Sequence, residues 1–247
     1  MMQTIFRLTT AALIALLFSA CSPHIKQNPS SAEIESMGMT ALHGQQSEAF
    51  VALKTWAQQG NVVAQRELAY ALSVNTDKQN EAANWLKKAA EGGDSDAQFN
   101  YAEANYKSRL GLKQNYPEAW KWYEAASGKK NDKATFMLSR MSKYGEGVPK
   151  NIEQSVHWLQ VASEQGNAQA MFLLSNAYAD GDGIKKDPIL AHHWLELSAE
   201  GDFPAAIQTL AMELDGKPDA KEQDKQRARH LLKEANDERK MRWNQYQ

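Results

Sequence analysis

Small and large apolar residues recur along this chain every 36 or 37 positions. Four segments open on tryptophan: Trp85 in WLKKAAEGGDSDAQFNYA, Trp122 in WYEAASGKKNDKATFMLS, Trp158 in WLQVASEQGNAQAMFLLS and Trp194 in WLELSAEGDFPAAIQTLA. Twelve residues after each stands alanine: Ala97, Ala134, Ala170 and Ala206. Four further on comes a large apolar residue (Tyr101, Leu138, Leu174, Leu210), followed by a small one (Ala102, Ser139, Ser175, Ala211). The register continues 33 residues upstream through Ala52, Ala64, Leu68 and Ala69, with Ala52 in the tryptophan's place. Downstream, Leu231 lies 37 residues after Trp194 and opens half a repeat.

Each unit reads as two helices. In the first, small residues flank the tryptophan at steps of three and four, as in Ala119, Trp122, Ala126 and Ser155, Trp158, Ala162. That spacing puts them on one helical face. Asn115, Asn151, Asp187 and Asp224 precede these helices and are suited to N-capping, because a side-chain oxygen accepts from an exposed backbone amide. Pro117 and Pro188 sit just inside, where proline is tolerated. The first helix ends near Gly93, Gly166 or Gly201, and the next residue, Asp94, Asn167 or Asp202, is the expected cap of the second helix. The second helix carries residues such as Ala170, Leu174 and Tyr178 at four-residue steps, then stops at a glycine pair, Gly145 and Gly147 or Gly181 and Gly183. No sustained alternation argues for strands.

A helix pair of this kind cannot bury its apolar face alone, so neighbouring pairs stack. The expected fold is all-α, an α/α-solenoid of about five helix-turn-helix repeats with a C-terminal capping helix. Its units span residues 46–78, 79–114, 115–150, 151–186 and 187–222, and the cap is 223–247. Residues 32–45 are expected to form a capping helix at the first end. The tryptophans are expected to fill the packed interior beside the alanines.

The segments WLQVASEQGNAQAMFLLSNAYADGDG and WYEAASGKKNDKATFMLSRMSKYGEGVPKN resemble the Sel-1-like repeat family, α/α-solenoids related to tetratricopeptide repeats. The resemblance covers roughly residues 46–235. It implies a non-enzymatic adaptor or scaffold that binds protein partners along an extended concave surface. Many bacterial members are exported and act in envelope assembly, signalling or host contact.

Residues 1–20, MMQTIFRLTTAALIALLFSA, pair one charge, Arg7, with an apolar stretch and small residues at its end, the pattern of a secretory signal peptide. The sole cysteine, Cys21, follows Phe18-Ser19-Ala20. This resembles the lipobox of bacterial lipoproteins, which implies cleavage before Cys21 and its acylation. Ser22 after the cysteine favours the outer over the inner membrane by resemblance to enteric sorting. Residues 21–45 then comprise the lipidated terminus, a Pro/Ser/Asn tether over 22–31 and the capping helix.

Composition excludes more than it proposes. The net charge is −2 over 247 residues, which does not point to nucleic acid. One cysteine permits no internal disulfide. No nucleophile elbow, P-loop, dinucleotide fingerprint or zinc-protease motif is present, so no cofactor is expected. Asp180-Gly181-Asp182-Gly183 lacks the further acidic ligands of a calcium loop. His157, His193 and His230 occupy one repeat position, too far apart for a shared metal but able to form a polar row facing a partner.

Charge is uneven. Residues 107–150 hold ten basic and four acidic groups, residues 151–215 two and ten, and residues 221–247 eight and five. Such a polarised rod would orient a charged partner. Lys121, Lys129, Lys130, Arg239 and Arg242 are the basic candidates for that contact, and Trp243 and Tyr246 the aromatic ones. The chain therefore reads as a periplasmic, lipid-anchored adaptor in an envelope-spanning assembly such as a secretion system. A peptidoglycan- or glycan-binding regulator is the alternative, and a hydrolase a more distant one.

Overall fold

The computed structural model describes residues 25–42, 47–215, 222–223, 226–230 and 232–233. Between Ser31 and Asp215 the chain forms eleven α-helices, and no strand occurs among the described residues. Helix α1 is Ser31–Ala41. Helices α2 (Glu48–Gln58) and α3 (Val62–Ser73) form the first unit, α4 (Gln79–Glu91) and α5 (Ser95–Tyr106) the second. The third unit is α6 (Tyr116–Ser127) and α7 (Asp132–Tyr144), and the fourth α8 (Ile152–Glu164) and α9 (Ala168–Asp180). Helices α10 (Pro188–Glu200) and α11 (Pro204–Asp215) complete the fifth. The solenoid forms as the repeat pattern predicts, and α1 ends at Ala41, short of the 32–45 expected for a capping helix. The last residues described, 222–233, are helical where they are described.

Local signals act where the sequence puts them. Asn115, Asn151 and Asp187 cap α6, α8 and α10, while Asp94 and Asn167 cap α5 and α9. Asp224 lies outside the described residues. Gly145 and Gly181 end α7 and α9 at φ +75° and +80°. Gly147 (φ +76°) brings its loop onto the start of α6, where an added Cβ would lie 2.7 Å from the Tyr116 carbonyl carbon.

Asp202 does not stand directly before α11, where Phe203 stands. It adopts φ +56°, and the Phe203 carbonyl accepts from the Ala206 and Ile207 amides instead. Asp202 stands eight residues after Trp194, in register with Gly93 and Gly166 after Trp85 and Trp158, so it falls on the left-handed position that Gly60, Gly93 and Gly166 hold in other units, and Phe203 takes the place of Asp94 and Asn167.

The four register alanines, Ala97, Ala134, Ala170 and Ala206, are all fully buried. The tightest packing joins the second helix of one unit to the first helix of the next: α3 to α4, α5 to α6, α7 to α8 and α9 to α10. Each small residue lets a neighbouring helix come close there. The tryptophans are not the deepest residues. Trp122 is buried, but Trp85, Trp158 and Trp194 are only half-buried. The residue after each tryptophan goes deeper: Leu86, Tyr123, Leu159 and Leu195, with Leu53 in the first unit. The Trp122 indole donates to Glu118 at 2.7 Å, whereas the buried Trp158 indole N–H finds no acceptor among the described residues.

Trp122→Ala is therefore expected to cost about 3–5 kcal/mol. Trp158→Ala should cost roughly half as much, because less area is lost and an unsatisfied donor goes with it. Urea unfolding of the two variants checks the order; equal losses would contradict it.

A charge cluster pins the first end. Arg66 on α3, 8 % exposed, donates from Nη2 to Glu35 on α1 at 2.7 Å, from Nη1 to Asp94 at 2.8 Å and from Nε to Glu67 at 3.0 Å. The other Asp94 oxygen accepts the Ala97 amide at 2.8 Å, so one guanidinium ties α1, α3 and the cap of α5 together. Burial pushes the Glu67 carboxyl up, against the opposing pull of Arg66.

The tether is shorter than the sequence suggests. Ile25 packs against the core cluster around Trp56, and the Trp56 indole donates to the Lys26 carbonyl at 2.8 Å. Ser30 and Glu33 form a capping box at the start of α1. The chain is thus fastened from Ile25 onward, because the Pro/Ser/Asn residues after it serve a strap and a helix cap.

Candidate partner-binding grooves

Successive second helices leave grooves between them, floored by the intervening first helix. In the fourth unit the groove between α7 and α9 is open, with a volume of about 530 Å³. Val156 and Leu159 of α8 supply an apolar floor. Arg140 and Lys143 stand on the α7 side, while Asp180 and Asp182 stand on the α9 side. The groove is therefore apolar at its base, basic along one wall and acidic along the other. An equivalent cleft of about 520 Å³ lies between α3 and α5, lined by Tyr70, Leu86, Phe99, Asn100 and Glu103. Asn100 donates to the Tyr70 hydroxyl at 2.7 Å.

The third unit differs at one residue. Tyr123 stands where Leu86 and Leu159 stand in the neighbouring units, and its larger ring fills the space beside α5. Its hydroxyl donates to Glu103 at 2.5 Å, and its ring lies 5.9 Å from that of Phe99. Burial, then the Glu103 hydrogen bond, push the Tyr123 hydroxyl up. Tyr106 donates to Glu146 at 2.7 Å under the Arg140 guanidinium and is pushed up to about 12, by burial first. Both phenols are therefore neutral donors near neutral pH. They fix polar contacts in the third unit, Tyr123 to α5 and Tyr106 to the loop after α7.

A family model described as the Sel1 repeat matches residues 62–94, 95–131, 132–167, 168–203 and 210–238. The chain belongs to the Sel1 repeat family. Three solved structures resemble it. A Sel1 repeat protein from Oxalobacter formigenes is 27% identical with a TM-score of 0.72, covering 94% of this chain and 97% of its own. A protective antigen of uropathogenic Escherichia coli with an SLR fold is 23% identical at 0.69, covering 84% of this chain and 46% of its own. An immunity protein from Pseudomonas aeruginosa is 16% identical at 0.51, covering 85% of this chain and 83% of its own. No curated protein sequence matches the chain. Sel1 repeats are typically non-catalytic scaffolds for protein partners, and open grooves with charged walls suit that role.

The first four matched Sel1 segments begin at α3, α5, α7 and α9, so the family unit joins a second helix to the following first helix, the closer-packed pair in this fold. The contact candidates chosen from sequence lie elsewhere on these Sel1 repeats. Lys121, His157 and His193 are exposed on the first helices. Lys121 lies over the Trp122 ring at 5.3 Å, and His157 and His193 pack beside Trp158 and Trp194. No three metal-ligating side chains gather among the described residues. Lys129 donates to the Gly93 carbonyl and so ties two units together. His230 is exposed. Cys21, Arg239, Arg242, Trp243 and Tyr246 lie outside the described residues.

The groove residues Arg140 and Lys143 were not singled out from sequence, and Asp180 and Asp182 were weighed there only as a calcium loop. Their signal was the switch from basic to acidic composition between the third and fourth units, which this groove spans.

Lys130 is exposed and holds φ +62° at the position of Gly93 and Gly166. Left-handed backbone costs a side-chain-bearing residue about 1–2 kcal/mol. Lys130→Gly is therefore expected to raise stability by about 1 kcal/mol, read as a higher denaturant midpoint. A fall would show that the lysine side chain holds the turn.

Proposed function

We propose that this Sel1 repeat protein is an exported bacterial lipoprotein, anchored by acylated Cys21 to the periplasmic side of the outer membrane. It acts as an adaptor in an envelope-spanning assembly such as a secretion system. The observation that carries the adaptor reading is the open groove of the fourth unit, apolar at its floor with opposite charges on its walls. A partner segment laid there would bury apolar side chains on Val156 and Leu159 and be oriented by Arg140 and Lys143 against Asp180 and Asp182. The signal-peptide pattern and Cys21 support the location.

A photocrosslinker at Tyr144, a 62 % exposed residue of that groove, tests the reading in cells. Crosslinking to one envelope protein is expected, and its loss in Arg140→Glu with Lys143→Glu. Association should also slow as salt rises, since screening at physiological strength shortens to about 8 Å. Cys21→Ala should move the protein from the membrane to the soluble fraction. Retention on purified peptidoglycan, with no crosslink that depends on the groove charges, would overturn the adaptor reading.

A further inference from the structure

The first end of the stack carries an apolar cleft with no partner within the described fold. It has a volume of about 630 Å³ and lies between the strap before α1, α1 itself and α2, lined by Ile25, Pro29, Met37, Ala52 and Trp56. Met37, Met39 and Val51 are large apolar side chains exposed on these same two helices. The nearest cation, Lys26, pairs with Glu33 at 2.6 Å. That contact and the Ser30 amide hold the Glu33 carboxyl down at about 2. Exposed Glu48 and the hydroxyls of Thr40 and Ser47 stand on the rim, so what the cleft offers a bilayer is its apolar wall and not a cationic patch.

The leash to the anchor is short. Ile25 is fastened to the core, and only residues 22–24 separate it from Cys21. Four residue steps span at most about 14 Å when fully extended. The headgroup layer of a bilayer is roughly 5–7 Å deep on each side. An acylated cysteine therefore leaves Ile25 no more than about a further headgroup layer's width of freedom above the membrane.

We propose that the strap, α1 and α2 form a docking surface for the lipid bilayer, on which the rod is mounted end-on with the Ile25–Met37–Trp56 cleft against the headgroups. The surface takes lipid rather than protein because the chain's own geometry delivers it there. This rests on the lipid-anchor reading above, and the two fail separately.

The full-length acylated protein is reconstituted into vesicles of phosphatidylethanolamine and phosphatidylglycerol carrying a headgroup nitroxide. A fluorophore is attached at Thr40→Cys, on the mouth of the cleft, or at Met212→Cys on α11. Cys21 is blocked by its acyl group, so the label is specific. Quenching at the first site and none at the second is expected. Insertion of about 20 Gly/Ser residues after His24, which span roughly 25 Å, should abolish it. Equal quenching at both sites, or none at Thr40→Cys on a protein whose mass shows acylation, overturns end-on docking and leaves the anchor standing. A mass without acyl groups overturns both. Shielding of the label that does not require vesicles would mean that a second copy covers the cleft, and also overturns the proposal.

Discussion

Arg66→Ala is expected to destabilise the protein by about 3–5 kcal/mol, because it strips the counter-charge from buried carboxylates rather than removing a surface ion pair. Glu67 is 8 % exposed, and Asp94 must still cap α5. Without the guanidinium, Glu67 is left ionised in a site that already pushes its carboxyl up. A carboxyl raised in the folded state contributes stability that is present in acid and lost as pH climbs through its folded value. The deficit of Arg66→Ala should thus be largest near neutral pH and shrink in mild acid. Adding Glu67→Gln should restore about 1–2 kcal/mol, since an amide leaves no uncompensated charge. The two substitutions will not add, because the groups share one network. Urea midpoints across pH, for the single and double variants, give the measurement. A loss under 1 kcal/mol, flat with pH, would show the cluster to be solvated (about the ordinary worth of an exposed pair).

Ala134→Glu is expected to be still more damaging. The alanine is fully buried near the start of α7, and a carboxylate there would enter a contact made close by its missing side chain. Buried unpaired charge belongs to the few mechanisms that exceed about 4–5 kcal/mol, a large share of a domain's usual stability. The neighbouring Lys133 is exposed, so Lys133→Glu controls for the charge change and should stay within about 0.5 kcal/mol. Thermal melts by circular dichroism separate the two. Matching midpoints would mean the repeat register is misplaced.

The alanine ladder was legible because a helix contact that admits only a small side chain repeats wherever the contact repeats. Ala97, Ala134, Ala170 and Ala206 therefore show both as a period and as full burial. The tryptophans were misplaced in depth for a related reason. Adjacent helical positions diverge by about 100°, so periodicity locates a face without saying which of Trp158 and Leu159 points inward. Size suggested the tryptophan; packing chose the leucine. Arg66 gave no periodic signal, because its partners Glu35 and Asp94 lie 31 and 28 residues away on other units. The grooves were hidden because a void depends on the volumes facing it from three helices. The left-handed sites at Lys130 and Asp202 were readable in principle from alignment with Gly93 and Gly166, where a non-glycine residue breaks the pattern.

Tyr123 has a consequence at the level of recognition. Its ring and hydroxyl are held against α5 in the unit that lies between the two clefts. A partner that uses both clefts would carry two anchoring segments, set apart by the length of that unit. Once the first segment is seated, the second meets its cleft intramolecularly, at an effective concentration in the millimolar range for a short linker. Two weak contacts then act as a ruler. Avidity about 10²–10⁴ above either site alone goes to a ligand whose spacing fits, and is lost entirely by one whose spacing does not. Tyr123, at a position that is leucine in the other four units, thereby marks the interval that such a ligand would have to match.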